Sequence, residues 1–261
     1  MNAKTQQREG AYLKVLPPRP AFTLSDDYSA LICSNDYEKQ LSAIQAFRGS
    51  IYFADGAIPA ISLDPSGRYL DPFDHDNWHL YIVCDRGEVR ACFRLCTHPI
   101  GITPNNLKAF EVIKRMQDTR SAGRYAAAVA ELIARAQREN IGVGEVGGWA
   151  VDPAWRNCTT TATLPLAAWS LYQILGDCYV VSVATTRHQS SRILRKMGGL
   201  VLDSGGMPMP SFYDDFYRCD LEFIAYDSRR PSPRYLPLVE RTKAHLISAL
   251  ADLARVYKTK S

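Results

Sequence analysis

The stretch from Gly144 to Gly176 constrains the fold most, because it reads as a strand, a short loop and a helix in immediate succession. An apolar run, Val146–Val151, leads into a proline-containing turn and a run of small hydroxyl residues, and a helical pattern follows from Leu166. The first N–H groups of a helix lack partners within the helix and lie at the positive end of its dipole. The stretch therefore predicts a site for an anion such as a phosphate, with Arg156 adding a cation at the loop entrance.

This stretch resembles the acyl-donor site of the GNAT superfamily of N-acyltransferases. There a strand ends in V-x-P-x-W/Y-R, and the arginine opens an R-x-x-G-x-G/A loop around the pyrophosphate of coenzyme A or a phosphopantetheine arm. Here residues 151–156 read Val-Asp-Pro-Ala-Trp-Arg, with threonine at both glycine positions, which crowds the close approach that glycine permits. The resemblance implies that the donor is held by Val151, Arg156, Asn157, Cys158, Thr159, Thr160 and Thr161. An ordinary strand-turn-helix without a ligand stays open.

A second set of residues gives a more specific resemblance, to the acyl-homoserine-lactone synthases and the related N-acyl amino acid synthases. These carry an arginine, an aromatic residue four positions later, a D-x-x-D before the first hairpin, and R-L on its second strand. This chain has all four in order within residues 36–203: Arg48, Tyr52, Asp71 with Asp74, and Arg94. The charged members predict a buried network of charge-assisted bonds between arginine and carboxylate. Such a network either braces a long loop over a cleft or offers a cation to a substrate carboxylate.

Glu145, at the start of the central strand, is the candidate general base. An α-amino group titrates near pH 8, so a carboxylate that reaches it through one water suffices to take its proton. By the resemblance, backbone N–H groups of the central strand, including those of Gly147 and Trp149, polarise the thioester carbonyl. The resembling families carry an arginine three residues after this glutamate, but here Gly148 takes that position, which puts lactone formation in question. A solvated carboxylate at the strand end is the other interpretation of Glu145.

Composition bounds the remaining possibilities. The 261 residues are 46% hydrophobic and 22% charged, which suits a globular protein with a sizeable core. A net charge of +4 is too small to indicate a nucleic-acid partner. The seven cysteines show neither a C-x-x-C pair nor Cys/His ligand spacing, which predicts free thiols in a reducing compartment and no metal site. Without a signal peptide or an apolar run of about 20 residues, the sequence predicts a cytoplasmic protein.

The order of predicted elements is a helix, a hairpin, two helices, a strand, a helix, a strand, a helix and final strands. It predicts one α/β (α+β) domain over residues 35–227, with a mixed, largely antiparallel central sheet flanked by helices. The resemblance adds a V-shaped cleft between two central strands. Residues 1–34 are assigned to an N-terminal extension, and 228–261 to a proline-rich linker and a C-terminal helix. The expected helices include 35–48, ended by Gly49, and 105–117, 121–140 and 190–197.

The sequence thus predicts an N-acyltransferase with no tightly bound cofactor. By the resemblance, the amine of an amino acid or its derivative attacks the thioester of an acyl carrier protein or acyl-CoA directly, without a covalent enzyme intermediate. Four basic residues form either a solvated face or a docking surface for an acidic carrier or a nucleotide phosphate. They are Arg187, Arg192, Arg195 and Lys196. Two other functions stay open, an acetyl-CoA-dependent amine acetyltransferase and a non-catalytic acyl-carrier or lipid-binding module.

Overall fold

A computed structural model describes residues 10–19, 35–156 and 159–258. The strands in this part of the chain are β1 (Ala11–Leu16), β2 (Trp78–Cys84), β3 (Val89–His98), β4 (Gly142–Val151), β5 (Cys178–Thr185), β6 (Leu200–Val201), β7 (Asp203–Ser204), β8 (Met207–Pro208), β9 (Phe212–Asp214) and β10 (Cys219–Asp227). The α-helices there are α1 (Asn35–Ala54), α2 (Lys108–Lys114), α3 (Thr119–Arg138), α4 (Thr159–Leu175), α5 (Ser190–Lys196) and α6 (Leu236–Lys258).

The main sheet has the strand order β1-β2-β3-β4-β5-β10-β6, with β9 also paired to β10, and β7 and β8 form a separate hairpin. The central pair, β4 with β5, is parallel, and the other pairs of this sheet are antiparallel. The predicted mixed, largely antiparallel α/β sheet is therefore confirmed. The predicted hairpin and helices are present, with their bounds shifted by a few residues.

Helices cover both faces of the sheet, and the alternation of side chains along each strand decides which residues meet which layer. Leu80 and Phe93 pack beneath α4 and α6, whereas their neighbours Tyr81 and Cys92 face α1. Helices α2 and α3 pack beside α1 on that second face, where they meet β5 at Val181. Alternate residues of β3 after Cys92 therefore point into the region between α1 and α2.

Helix α1 continues past its predicted end. Gly49 was expected to end the helix, but the helix runs to Ala54. Arg48 and Tyr52 therefore both lie on α1, and not at the two sides of a loop entrance. Gly49 is needed for packing, because a Cβ there would lie 2.8 Å from the backbone oxygen of Gly67. Glycine lets the loop of residues 55–77 cross the helix at close range.

We expect Gly49→Ala to destabilise the protein by about 1–3 kcal/mol, the usual range for overpacking against atoms that cannot move aside. Alanine normally stabilises a helix interior over glycine by about 0.5–1 kcal/mol. Gly123→Ala in α3 is the matched control, because Gly123 is exposed and its Cβ would meet nothing within 4 Å. Urea unfolding measures both variants. Equal stabilisation by the two alanines would show that the loop does not press on the helix.

The strand, turn and helix predicted around residues 144–176 are present, with one correction. After β4, a 3-10 turn covers Pro153–Trp155, and α4 begins at Thr159. The threonine run from Thr159 is therefore the first turn of the helix and not a loop, and Pro165 lies inside the helix. Asn157 and Cys158 lie outside the described residues.

Two segments assigned to the chain's extensions lie against the domain. Strand β1 pairs antiparallel with β2 at the edge of the sheet. Helix α6 packs on α4, where the Ser170 hydroxyl donates to the backbone oxygen of Val239 at 2.8 Å. The domain boundaries themselves stay a prediction. Among the described helices, none combines the length and the apolar character needed to cross a membrane.

Candidate active site

Strands β4 and β5 diverge after Val146, and this opens a cleft in the middle of the sheet. Their parallel pairing runs from Gly142 with Cys178 to Val146 with Ser182. Both strands continue beyond that point, β4 as far as Val151. At the apex the Ser182 hydroxyl donates to the backbone oxygen of Val146 at 3.2 Å. The predicted V-shaped cleft is confirmed.

A β-bulge at Gly148 sets the direction of the side chains along β4. Two residues, Gly148 and Trp149, oppose the single residue Phe93 of β3. Gly148 has φ +62°, a left-handed conformation that glycine adopts without the cost of a side chain. The extra residue shifts by one position the alternation of β4 side chains between the two faces of the sheet. Glu145 before the bulge and Ala150 after it therefore face the same layer, that of α1 and α2.

The diverging strands border a cavity of ≈ 1470 Å³. Pockets for small molecules usually enclose about 300–1,000 Å³, so this one has room for more than one bound group. The predicted catalytic residues Gly147 and Trp149 lie in its wall. A Cβ on Gly147 would meet nothing within 4 Å. The indole N–H of Trp149 is buried and has no hydrogen-bond partner among the described residues.

The predicted charged residues lie together, and Arg48, Asp71 and Arg94 line this cavity. Arg48 donates from Nη1 to Asp74 Oδ1 at 3.0 Å and from Nη2 to Asp74 Oδ2 at 2.5 Å, and both side chains are buried. Arg94 Nη1 lies 2.7 Å from Asp71 Oδ2 and 3.2 Å from Asp74 Oδ1. Lys108, which the sequence analysis missed, also pairs with Asp71. Three basic side chains thus meet two carboxylates, and burial lowers the pKa of Lys108 to about 7, so its charge changes near neutral pH.

The same network fastens the loop of residues 55–77 to α1. Arg48 Nη2 donates to the backbone oxygen of Tyr69 at 3.0 Å, and Gln45 Nε2 donates to Asp74 Oδ2 at 3.0 Å. The rings of Tyr52 and Tyr69 meet edge to face with their centroids 5.8 Å apart. Burial raises the pKa of Tyr52. These contacts support a bracing role for Arg48, Tyr52 and Asp74.

His79 on β2 is buried beneath the network, and its Nε2 lies 2.8 Å from the backbone oxygen of Asp74. A carbonyl only accepts, so Nε2 carries the proton of this bond. Burial lowers the pKa of His79 to about 4; the Asp74 carboxylate opposes this shift, and the cations Arg48 and Arg94 add to it. The imidazole is therefore neutral at physiological pH.

This low pKa predicts a loss of stability in mild acid. An unfolded histidine titrates near 6.5, so the contribution of His79 is complete above that pH and is lost as the pH falls towards 4. The loss amounts to about 3 kcal/mol over this window. His79→Gln keeps an N–H donor and does not titrate, so its free energy of unfolding should change less between pH 6.5 and 4. A pH profile that matches that of the wild type would contradict the assignment.

Glu145 is held in place by backbone donors. Its Oε1 accepts from the N–H of Ala109 at 2.7 Å, and its Oε2 accepts from the N–H of Lys108 at 3.0 Å. The Tyr172 hydroxyl donates to the Glu145 backbone oxygen at 2.7 Å. The side chain is buried, yet it borders the cavity. Glu145 is therefore a fixed carboxylate, and not the solvated strand-end residue of the alternative interpretation.

Two further side chains converge on Glu145, and the sequence analysis missed both. His98 Nε2 lies 2.9 Å from Glu145 Oε2 and 3.3 Å from Cys96 Sγ. Cys96 and His98 are two residues apart on β3, hence on one face, and Cys96 is directly opposite Glu145 in the strand register. The C-x-H spacing at the end of a predicted strand was the available signal, and the strand itself runs on to His98. Burial, with the Glu145 carboxylate, raises the pKa of the Cys96 thiol far above its usual range, so the thiol is not an activated nucleophile.

Val151 and Arg156, two of the predicted donor-binding residues, line the cleft. Arg156 Nη2 donates to both carboxylate oxygens of Asp55, at 2.9 and 2.7 Å, and its Nε donates to the backbone oxygen of Val151 at 3.3 Å. His188 Nε2 lies 3.0 Å from Asp55 Oδ2. The sequence analysis did not foresee Asp55 as the partner of Arg156. An anionic donor at this position has to compete with that carboxylate.

The predicted docking residues divide into two groups. Arg187 donates to the backbone oxygens of Asp55, Tyr217 and Arg218, at 2.7, 3.1 and 2.8 Å, so it joins the loops around the cleft. The other three residues are exposed on α5: Arg192, Arg195 and Lys196. A docking surface on α5 stays a prediction.

No protein-family model matches the chain, and no curated protein matches it in sequence. Among solved structures, two of BjaI, a CoA-dependent acyl-homoserine lactone synthase, each cover 89% of this chain and 90% of their own. The complex with SAM and isopentyl-CoA has a TM-score of 0.55 at 16% identity, and the complex with MTA has 0.54 at 15%. FeeM, an N-acyl amino acid synthase from uncultured soil microbes, has a TM-score of 0.48 at 11% identity over 85% of this chain and 93% of its own. The likeness to BjaI confirms the predicted fold.

Proposed function

We propose that the protein is an N-acyltransferase that moves an acyl group from a thioester to the amine of an acceptor bearing a carboxylate. The divergence of β4 and β5 into a large cavity carries this proposal. Past Val146, the side of β4 that faced β5 is left without its strand partner. An extended donor arm can bind there as an added strand, through main-chain hydrogen bonds. The isopentyl-CoA in the BjaI complex supports a thioester donor for this fold.

The residues of the cleft suit direct attack by the amine. The nitrogen bonds to the thioester carbonyl carbon and the carbonyl oxygen becomes an oxyanion. Collapse breaks the carbon–sulfur bond, and the amide forms as the thiolate leaves and takes a proton from solvent. Donors near Gly147 and Trp149 stabilise the oxyanion, at about 3–4 kcal/mol for one well-placed N–H. The proton of the amine leaves to the Glu145–His98 cluster. The activated thioester makes a covalent enzyme intermediate unnecessary.

The basic side chains of Arg94 and Lys108 suit an acceptor with a carboxylate, such as an amino acid, which would also favour the charged form of Lys108. Arg94 and Lys108 both border the cavity and share one carboxylate, Asp71. A Cβ on Gly148 would lie 3.1 Å from the Arg94 Cβ and 3.5 Å from Arg48 Nη1. The two arginines thus already fill the space beside the position where the resembling families carry an arginine. We assign acceptor binding to Arg94 and Lys108.

The volume of the cavity favours a long acyl chain over an acetyl group. An acetyl group adds only three heavy atoms beyond the thioester sulfur, so a cavity of ≈ 1470 Å³ keeps room for a longer chain beside the donor arm and the acceptor. The donor is an acyl carrier protein or acyl-CoA that binds transiently at Arg156 and the first turn of α4. Basic residues exposed on α5 suit an acidic carrier.

Thiol release from a panel of donors tests this function. Purified protein is mixed with amino acids and with acetyl-CoA, long-chain acyl-CoA or long-chain acyl carrier protein, and products are identified by mass spectrometry. We expect a long-chain N-acyl amino acid, formed at least about 10-fold faster than the acetyl product. Faster acetyl transfer would instead indicate an amine acetyltransferase. Binding of long-chain donors without release of any thiol would indicate a non-catalytic module.

A further inference from the structure

We propose that Cys96, His98 and Glu145 bind a divalent metal ion of the zinc type at the wall of the cleft. Their ligand atoms, Sγ, Nε2 and a carboxylate oxygen, all lie within 4.8 Å of one another. Thiolate, imidazole and carboxylate are the ligands that zinc takes in proteins. The observations behind this site are separate from those behind acyl transfer, but Glu145 and His98 do not accept the amine proton while they bind the ion.

The distances already approach those of a metal centre. In a tetrahedral zinc site with bonds of about 2.0–2.3 Å, ligand atoms are about 3.3–3.6 Å apart. Here His98 Nε2 lies 3.3 Å from Cys96 Sγ and 2.9 Å from Glu145 Oε2, and Cys96 Sγ lies 4.0 Å from Glu145 Oε2. Shifts of a few tenths of an ångström bring all three within reach of one ion.

The hydrogen-bond pattern differs from that of a catalytic triad. In a triad the histidine uses one ring nitrogen for the nucleophile and the other for the carboxylate. Here the same nitrogen, His98 Nε2, contacts both Cys96 and Glu145. The nitrogen carries a single proton or a single lone pair, so it cannot serve both partners fully. A cation at the point of convergence satisfies all three groups at once.

The surroundings of the carboxylate resemble the outer contacts that orient metal ligands. The backbone N–H groups of Lys108 and Ala109 hold the two oxygens of Glu145. A carboxylate has about four acceptor positions, so these two bonds leave room for coordination. Cys96 and Glu145 are cross-strand neighbours, and their strands fix the spacing.

Three protein ligands at the border of a cavity leave the fourth position of a tetrahedral ion open. This is the arrangement of catalytic zinc sites, in which water or a substrate atom completes the coordination. Binding releases the thiol proton of Cys96 to solvent, because the thiolate is the ligand. A water from the cavity would fill the open position.

Cobalt(II) titration of the chelator-treated full chain tests the site. We expect binding of one ion, with visible absorption of a four-coordinate centre and a near-ultraviolet band from thiolate to cobalt. Cys96→Ser should abolish the near-ultraviolet band. His98→Gln should weaken binding more than about 100-fold, since losing an outer partner alone costs about 10- to 100-fold. Cys219→Ser is the matched control, a free cysteine on another strand, and should bind as the wild type does.

A second measurement on the wild type guards against misfolded variants. Zinc should protect Cys96 from alkylation, as read by peptide mass spectrometry, and should release about one proton per ion bound. Circular dichroism of each variant confirms its fold. The proposal is overturned if no ion binds at micromolar concentration, or if the cobalt spectrum is the same in Cys96→Ser and the wild type.

Discussion

Asp74→Asn should lower the free energy of unfolding by about 3–5 kcal/mol, the cost of leaving a buried charge without its partner. Asp74 is fully buried and bonds to Arg48 through both oxygens. Burial alone would raise the pKa of Asp74, but Arg48 outweighs it and the pKa is lowered, so the carboxylate stays charged. Asparagine has the same shape and no charge, and it leaves the Arg48 guanidinium uncompensated.

The double variant Arg48→Met with Asp74→Asn is the matched control. Removing both members of a buried pair is often close to neutral, whereas removing one is not. We expect the double variant to regain at least half of the stability lost in Asp74→Asn. Urea unfolding at pH 7 measures all three proteins. A single variant within about 1 kcal/mol of the wild type would mean that the network does not brace the loop.

Gly147→Leu should lower kcat/KM for acyl transfer by at least about 100-fold, which corresponds to about 2.7 kcal/mol of transition-state stabilisation. Gly147 lies on β4 just beyond the last pair with β5, and its Cβ would extend into open space. A leucine therefore projects into the cavity on the face of β4 that Arg94 shares, where it obstructs the slot proposed for the donor without a clash at its Cβ. Its effect should fall on activity, and stability should stay within about 1 kcal/mol of the wild type.

Gly123→Leu in α3 is the control for this change, because it places the same side chain on an exposed helix with no neighbour within 4 Å. Its turnover should match that of the wild type. Thiol release measures activity, and thermal unfolding checks the fold. Full activity in Gly147→Leu would place the thioester elsewhere in the molecule.

Much of the fold follows from local patterns in the chain. The apolar run Val146–Val151 predicted the central strand, and the predicted hairpin is the pair β2 and β3. The predicted end of α1 was wrong because Gly49 was interpreted from local sequence alone, as a residue that ends a helix. Its actual role is a contact with Gly67, a residue distant in the chain, and no local pattern contains that contact.

The site was predicted only in part, for a similar reason. Arg48, Asp71, Asp74 and Arg94 were named because their order along the chain resembles known synthases. Their partner Lys108 comes from a helix that joins them only through the tertiary fold. Asp55 was missed because its bond to Arg156 joins positions far apart in the chain. His98 and Cys96 gave a local signal, a C-x-H alternation on a strand, but their convergence on Glu145 required the register of β3 with β4.

Hydrogen exchange of the β4 and β5 amides is the measurement that shows whether a donor arm binds between these two strands. The protein is measured alone and with a long-chain S-alkyl pantetheine. This thioether imitates the donor arm but lacks the reactive bond between the carbonyl carbon and sulfur. We expect slower exchange at residues 147–151 and 183–185 in the complex, and no such change in Gly147→Leu. Slower exchange confined to other segments, or an equal change in Gly147→Leu, would contradict a donor bound between the diverging strands.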